Sequence, residues 1–330
     1  MLLAGDIGGT HSRLTLLARS PRGLRAVRHE VFESRAFGSL EDVLRVFLGK
    51  PASRVSSAAF GVAGPVVNGR SEVTNLPWII DARVLSRRLR IPRVVLMNDL
   101  VAQSMGALGV ARAKLHVLGG AGAPKRKGGN IAVLAAGTGL GEAVLVWDTK
   151  EARFLPSPTE GGHSDFAPHD ALEDELLVFL RARFGHHVSW ERVLSGNGVG
   201  NLYDFFREAK GVPETPETSR IIAGAIDRNS AIAQFGINGT SHAASRAMTL
   251  FSSIYGAEAG NLALNSLAIA GVYVCGKIAA SAVSLFDRGD FHRAFVDKGR
   301  QAPLMEKIPV AVVLDPDVGL VGAARVASLG

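Results

Sequence analysis

The chain has 330 residues, 47% of them apolar, enough for a large core, and this length favours two lobes over one or four. Its single cysteine, Cys275, excludes a disulfide framework and a cysteine-rich zinc site, and points to a reducing cytoplasm. The formal net charge of +7 comes from scattered basic residues without interleaved aromatics, so it describes a solvated surface that suits anionic ligands, with no nucleic acid expected.

The first element is a strand at 2–4. No basic region precedes it, and the longest weakly polar run, near 262–275, is short and interrupted by Asn265 and Ser266. A soluble, cytoplasmic, unprocessed protein without a membrane partner is expected. The strand runs into Gly5-Asp6-Ile7-Gly8-Gly9-Thr10, followed by apolar residues at 14–17. That pattern is strand, turn, strand. Gly8 and Gly9 let backbone N–H groups approach phosphate oxygens, Thr10 adds a hydroxyl, and Asp6 could hold Mg²⁺ through water. Further strands at 58–62 and 94–97 alternate with helices at 41–48 and 81–90, an α/β pattern.

The strand at 94–97 ends in Asn98-Asp99, at the carboxyl end where open α/β sheets bind ligands. Asp99 can accept the proton of an attacking hydroxyl, and Asn98 can hold a neighbouring one. The same two residues also suit the cap of a helix beginning near Leu100. From about Val110 a second region opens with another strand pair. Lys125-Arg126-Lys127, between glycines, is a flexible loop. The apolar run 131–135 then leads into Ala136-Gly137-Thr138-Gly139-Leu140-Gly141 and a second apolar run at 143–147, repeating the strand–turn–strand plan of the first loop. Two such loops suggest two halves gripping one nucleotide. The alternating glycines lead into a strand and do not open a helix, which excludes a Rossmann fingerprint.

Thr159-Glu160-Gly161-Gly162-His163-Ser164-Asp165 gathers a carboxylate, an imidazole and two glycines, a composition suited to polyol recognition. No second histidine lies at ligand spacing, which argues against a metal there, and His163 can equally be a hydrogen-bonded turn residue. Helices follow at 170–184, 189–208, 219–233 and 241–268, with Pro213-Glu214-Thr215-Pro216 as a surface turn. Glu191 falls at the start of the second of these, where a first-turn acid is favoured. The Gly271–Lys277 spacing copies a Walker A loop, but Val272, Tyr273, Val274 and Cys275 form a strand and Ile278 stands where Ser or Thr is required. The tail reads as a strand at 310–314, a cap at Asp315-Pro316-Asp317, and a helix at 319–327 packed back on the first lobe.

Together with Gly61-Val62-Ala63-Gly64-Pro65, Asn75-Leu76-Pro77-Trp78 and Glu191-Arg192-Val193-Leu194-Ser195-Gly196, these motifs resemble, in order and spacing over nearly the whole chain, the bacterial glucokinases of the non-ROK type, within the sugar kinase, Hsp70 and actin superfamily. The resemblance implies a two-lobed α/β actin-like ATPase (ribonuclease H-like) fold with a ligand cleft. The lobes would be residues 1–109 completed by 314–330, and 110–313. It implies transfer of the ATP γ-phosphoryl group to the 6-hydroxyl of glucose, with ATP and Mg²⁺ as cofactors and no zinc, since the ROK zinc motif needs several cysteines. Asp99 would match the catalytic base, and Asn98, Glu160, His163 and Glu191 the sugar ligands. Asp6, Gly8, Gly9, Thr10, Gly137, Thr138, Gly139, Gly276 and Lys277 would serve the nucleotide. Gly276-Lys277 stands where two glycines are usual, which leaves donor preference open. The alternatives are a kinase for mannose, glucosamine or fructose, a polyphosphate-using enzyme, or a sugar-responsive regulator. The last is disfavoured because the first strand at Leu2 leaves no room for a helix-turn-helix. The resemblance leaves room for a homodimer.

Overall fold

The computed structural model of the chain describes residues 1–21, 23–49 and 55–329. They fall into two compact units, Met1–Lys114 with Pro156–Pro158 and Asp315–Gly330, and Leu115–Leu155 with Thr159–Leu314.

The first unit contains β1 (Leu2–Ile7), β2 (His11–Ser20), β3 (Gly23–Glu33), α1 (Leu40–Leu48), β4 (Ser57–Val62), β5 (Val66–Val67), β6 (Arg70–Glu72), β7 (Ile79–Asp81), α2 (Ala82–Leu89), β8 (Arg93–Asn98) and α3 (Asp99–Ala107). Its main sheet has the order β3-β2-β1-β4-β8, with β1–β2 and β2–β3 antiparallel and β1–β4 and β4–β8 parallel. Every residue of β4 is buried, as expected for a strand covered on both faces. The pleat sends Leu3 and Ile7 to a core with Phe47, Phe60 and Trp78, and Leu2 and Ala4 to a core with Met97, Ala102, Leu320 and Ala323. Ser39 caps α1 and Asp81 caps α2 by accepting first-turn amides.

The second unit contains β9 (Leu115–Leu118), β10 (Ile131–Ala136), β11 (Leu140–Asp148), β12 (Arg153–Thr159), α4 (Ala171–Phe184), α5 (Gly196–Asp204), α6 (Pro216–Gly224), α7 (Arg228–Asn238), α8 (His242–Asn265), β13 (Gly271–Cys275), α9 (Lys277–Ser281), α10 (Val283–Phe286), α11 (Asp290–Val296), α12 (Ala302–Met305) and β14 (Val310–Val313). Its sheet order is β12-β11-β10-β13-β14-β9. The hairpin β10–β11 continues into the parallel pairs β10–β13 and β13–β14, repeating the hairpin-then-parallel plan of the first unit. The chain then returns to the first unit as α13 (Val318–Ser328).

The structure departs from the pattern-based elements where local signals mislead. The helix expected at 219–233 is two helices, because Asp227 accepts the Ser230 amide and starts α7 anew. The helix expected at 189–208 begins only at Gly196, capped by Ser195, and ends in a π-helical turn at Phe205–Ala209. Strand β3 is exposed along nearly its whole length, so no apolar alternation announces it.

Helices α3 and α13 meet backbone to backbone. A Cβ on Gly106 would lie 1.8 Å from the Val318 carbonyl oxygen, and one on Gly322 would lie 1.7 Å from that of Ala102. Main-chain atoms cannot swing aside, so Gly106→Ala or Gly322→Ala must push the helices apart. Each is expected to cost about 2–3 kcal/mol in urea unfolding. Gly224→Ala, at the end of α6 with open space around the new methyl, is the control and should leave stability unchanged or slightly higher.

Candidate active site

In the first unit the candidate site segments meet at one row of the parallel ladder. Ile7 pairs with Val62, and Val62 pairs with Asn98, so the turn after β1, the Ala63-Gly64 turn after β4 and the Asn98-Asp99 step after β8 share one edge of the sheet. Gly8 N–H donates to the His11 carbonyl at 3.0 Å, and the Ser34 hydroxyl donates to the Gly8 carbonyl at 2.8 Å, which fixes the Gly8-Gly9-Thr10 turn. Thr10 is exposed and Gly8 and Gly9 are half-buried.

Asn98 accepts the Leu100 N–H on Oδ1 at 2.8 Å and donates from Nδ2 to the Gly64 carbonyl at 3.1 Å, so both ends of its amide are fixed. Asp99 is the first residue of α3, and its Oδ1 also accepts from Leu100 N–H at 2.8 Å. The capping role is therefore real, and it orients both side chains at the strand end. Gly61 brings α3 close to β4, since a Cβ there would lie 2.7 Å from that of Ala102.

Asp6 alternates with Leu2 and Ala4 and so faces α13, where its carboxyl lies beside Gly319. Burial pushes its pKa up, the Arg13 guanidinium at 3.1 Å pulls it down, and the charge of Asp317 raises it further. Two carboxylates with one cation in a partly buried setting suit a hydrated Mg²⁺ held through water. Among the described residues there is no cluster of three or more histidine, cysteine or acidic side chains that could hold a metal directly.

In the second unit the corresponding turn, Gly137-Thr138-Gly139, joins β10 to β11, and Gly137 N–H donates to the Gly139 carbonyl at 2.8 Å. The parallel pairing of Ala135 with Cys275 brings Gly276 to the same end of the sheet. Gly276 has φ +95°, and a Cβ there would lie 2.7 Å from the Ala136 carbonyl oxygen. Lys277 is exposed at the start of α9, and its charge adds to the Ser230 hydrogen bonds that lower the Asp227 pKa.

Glu191 lies in a 3-10 turn, Trp190–Arg192, ahead of α5, and its Oε2 accepts the Leu140 N–H at 3.0 Å. That oxygen occupies the space a Cβ on Gly139 would need, at 2.3 Å. The segment carrying Glu160 and His163 is bound to the same turn: Trp190 N–H donates to the Ser164 carbonyl at 3.0 Å, and Phe166 N–H to that of Val188 at 2.8 Å. Glu160, His163, Glu191 and the glycine turn are thus carried by segments hydrogen-bonded to one another, with Glu160 and His163 exposed and Glu191 half-buried.

Three participants escape sequence reasoning. Tyr255, buried in α8, accepts the Ala136 N–H on its hydroxyl at 3.0 Å and so anchors the end of β10. Gly64 supplies the acceptor for Asn98. Glu142, on β11, lies beneath Gly161. The tyrosine, a large polar residue in a helix of small ones, leaves a sequence trace, and Gly64 belongs to the Gly61-Val62-Ala63-Gly64-Pro65 motif, whereas Glu142 leaves none.

A family model described as Glucokinase matches residues 3–329. The glucokinase of Trichormus variabilis is 39% identical over 342 residues, covering 99% of both chains. A glucokinase crystal structure from an Antarctic psychrotroph superposes with a TM-score of 0.86 at 27% identity, covering 100% of this chain and 99% of its own. The Balamuthia mandrillaris glucokinase structure, in complex with glucose, has the same fold, with a TM-score of 0.76 at 23% identity over 99% of this chain and 93% of its own. Sheet order, the paired glycine turns and full-length similarity agree, and the chain belongs to the glucokinase family.

Proposed function

We propose that this chain transfers the γ-phosphoryl group of ATP to the 6-hydroxyl of glucose, with Asp99 as the general base and Asn98, Glu160, His163 and Glu191 as the sugar ligands. The observation that carries the reading is the single register row on which Asn98-Asp99 and the Gly8-Gly9-Thr10 turn both stand. A hydroxyl held by the Asn98 amide is beside a carboxylate whose orientation the Leu100 N–H fixes. Asp99 accepts that hydroxyl's proton as the oxygen attacks phosphorus. Glu160, Glu191 and His163 take the remaining hydroxyls, each of which both donates and accepts.

The two glycine turns present backbone amides to the phosphates, and Thr10 and Thr138 add hydroxyl donors. Asp6 would hold Mg²⁺ through water, and the ion would supply neutralisation of phosphate charge. Among the described residues no helix is long and apolar enough to cross a membrane.

Asp99→Asn keeps the acceptor for Leu100 N–H and removes the base. The kcat should fall by roughly two to four orders of magnitude while glucose binding by calorimetry stays within a few-fold of the parent. Unchanged turnover would reduce Asp99 to a cap. Glu160→Gln should raise the glucose KM about 5- to 100-fold, the cost of a poorly paired bound hydroxyl, with the ATP KM nearly constant. Glu191→Ala should raise both KM values, because it also removes the acceptor for Leu140 N–H beside Gly139. Lys277 is exposed and its charge acts on Asp227, so Lys277→Gly should leave the KM for ATP and for glucose within about twofold. A larger shift confined to ATP would place the ammonium on the donor.

A further inference from the structure

Two buried carboxyl groups in the second unit have no part in the chemistry above. Glu142 is 3% exposed and Glu258, on α8, is 5% exposed. Glu142 supports the loop that carries Glu160 and His163 in two ways. Its carbonyl oxygen accepts from the Thr159 hydroxyl at 3.1 Å, and Thr159 Oγ1 in turn accepts the Gly161 N–H at 3.1 Å. Its carboxyl lies directly beneath Gly161, where an added Cβ would come within 2.1 Å of Oε2.

The carboxyl groups of Glu142 and Glu258 are near enough for each to act on the other's ionisation, and a hydrogen bond between two carboxyl groups requires a proton on one of them. Asn261 Nδ2 donates to Glu258 Oε2 at 2.9 Å, while Glu142 Oε1 is buried and meets no donor among the described residues. The facing cation is Lys298, whose pKa burial lowers and whose charge is divided among Glu258, Asp297 and Glu173. Tyr255, the remaining titratable neighbour, already has its hydroxyl pKa pushed up by burial. Two carboxylates in this setting would be both desolvated and mutually repelling, the condition under which a carboxyl pair keeps one proton.

We propose that Glu142 and Glu258 are a positioning pair: one proton held between their carboxyl groups seats Glu142 under Gly161 and thereby holds Glu160 and His163 in sugar-binding geometry. The inference rests on the reading of that loop as the sugar-binding segment. When hydroxide removes the proton, the two carboxylates repel, Glu142 is driven against Gly161, and the loop shifts. Burial raises both groups, Glu258 to about 8, so the seated form is complete at low pH and is lost as pH rises through that value.

The test is glucose binding by calorimetry at pH 7 and pH 9, with hydrogen exchange of the 159–164 amides corrected for the intrinsic rate. In the parent, the glucose Kd should rise about fivefold or more, ATP binding should hold within about twofold, and loop protection should fall. In Glu142→Gln and Glu258→Gln an amide donates to the remaining carboxylate without needing the proton, so both pH effects should disappear while binding at pH 7 is retained. Glu142→Ala, checked for an intact fold by thermal melting, should give the weak, unprotected state at both pH values. An unchanged pH slope in the two glutamine variants, or constant loop protection in the parent, would overturn the proposal. Glu160→Gln separates the two ideas: if it binds glucose normally while loop protection still falls with pH, the sugar assignment of the loop fails and the carboxyl pair stands as a loop clamp.

Discussion

In each unit the parallel strands stop on a common register row, and in the first unit Asn98 and the candidate base Asp99 stand on that row or just beyond it. Ile7, Val62 and Asn98 are aligned by main-chain pairing, so the glycine turn after β1 cannot move away from Asn98-Asp99 without breaking the sheet. The pleat adds a second constraint. A slip of one residue in β1 would turn Asp6 from α13 toward the opposite core and bring Gly5 or Ile7 to its place. Burial on both faces makes such a slip costly, and so the position of Asp6 follows from the apolar residues around it.

Around this frame, glycine occurs where a polar group must stand close to the main chain. Gly139 leaves room for the Glu191 carboxylate, which ties the Gly137-Thr138-Gly139 turn to the segment that carries Glu191. Gly161 leaves room for Glu142 in the same way. These are contacts between a backbone and a charged group, so their energetic weight depends on desolvation and pairing more than on area. The two units also share a plan, a hairpin whose turn is rich in glycine followed by parallel strands, and the second unit's turn is tied down by Tyr255 and Gly196 where the first uses Ser34.

Much of this is legible in the chain itself. The two glycine turns with apolar flanks locate both hairpins, and Asn98-Asp99 after an apolar run marks both a strand end and a helix start. Local pattern fails where tertiary pairing decides. Strand β3 exists because β2 offers an edge, and the break before α7 exists because Asp227 captures an amide that a continuing helix would have used. Glu191 reads as a helical first-turn acid, whereas the structure places it in a turn ahead of the helix and against Gly139. Glu142 and Glu258 are 116 positions apart, 258 minus 142, and nothing in either neighbourhood announces the other. Long-range pairing of like charges leaves no periodic trace.

The family assignment and the site geometry meet in one reaction, and its product is the most direct test. Incubating the purified protein with ATP, Mg²⁺ and glucose, and following the reaction by phosphorus NMR, should show ADP and glucose 6-phosphate appearing in equal amounts, with 6-deoxyglucose inert as an acceptor. Absence of phosphoryl transfer to glucose, or transfer to a hydroxyl other than that on C6, would contradict the account.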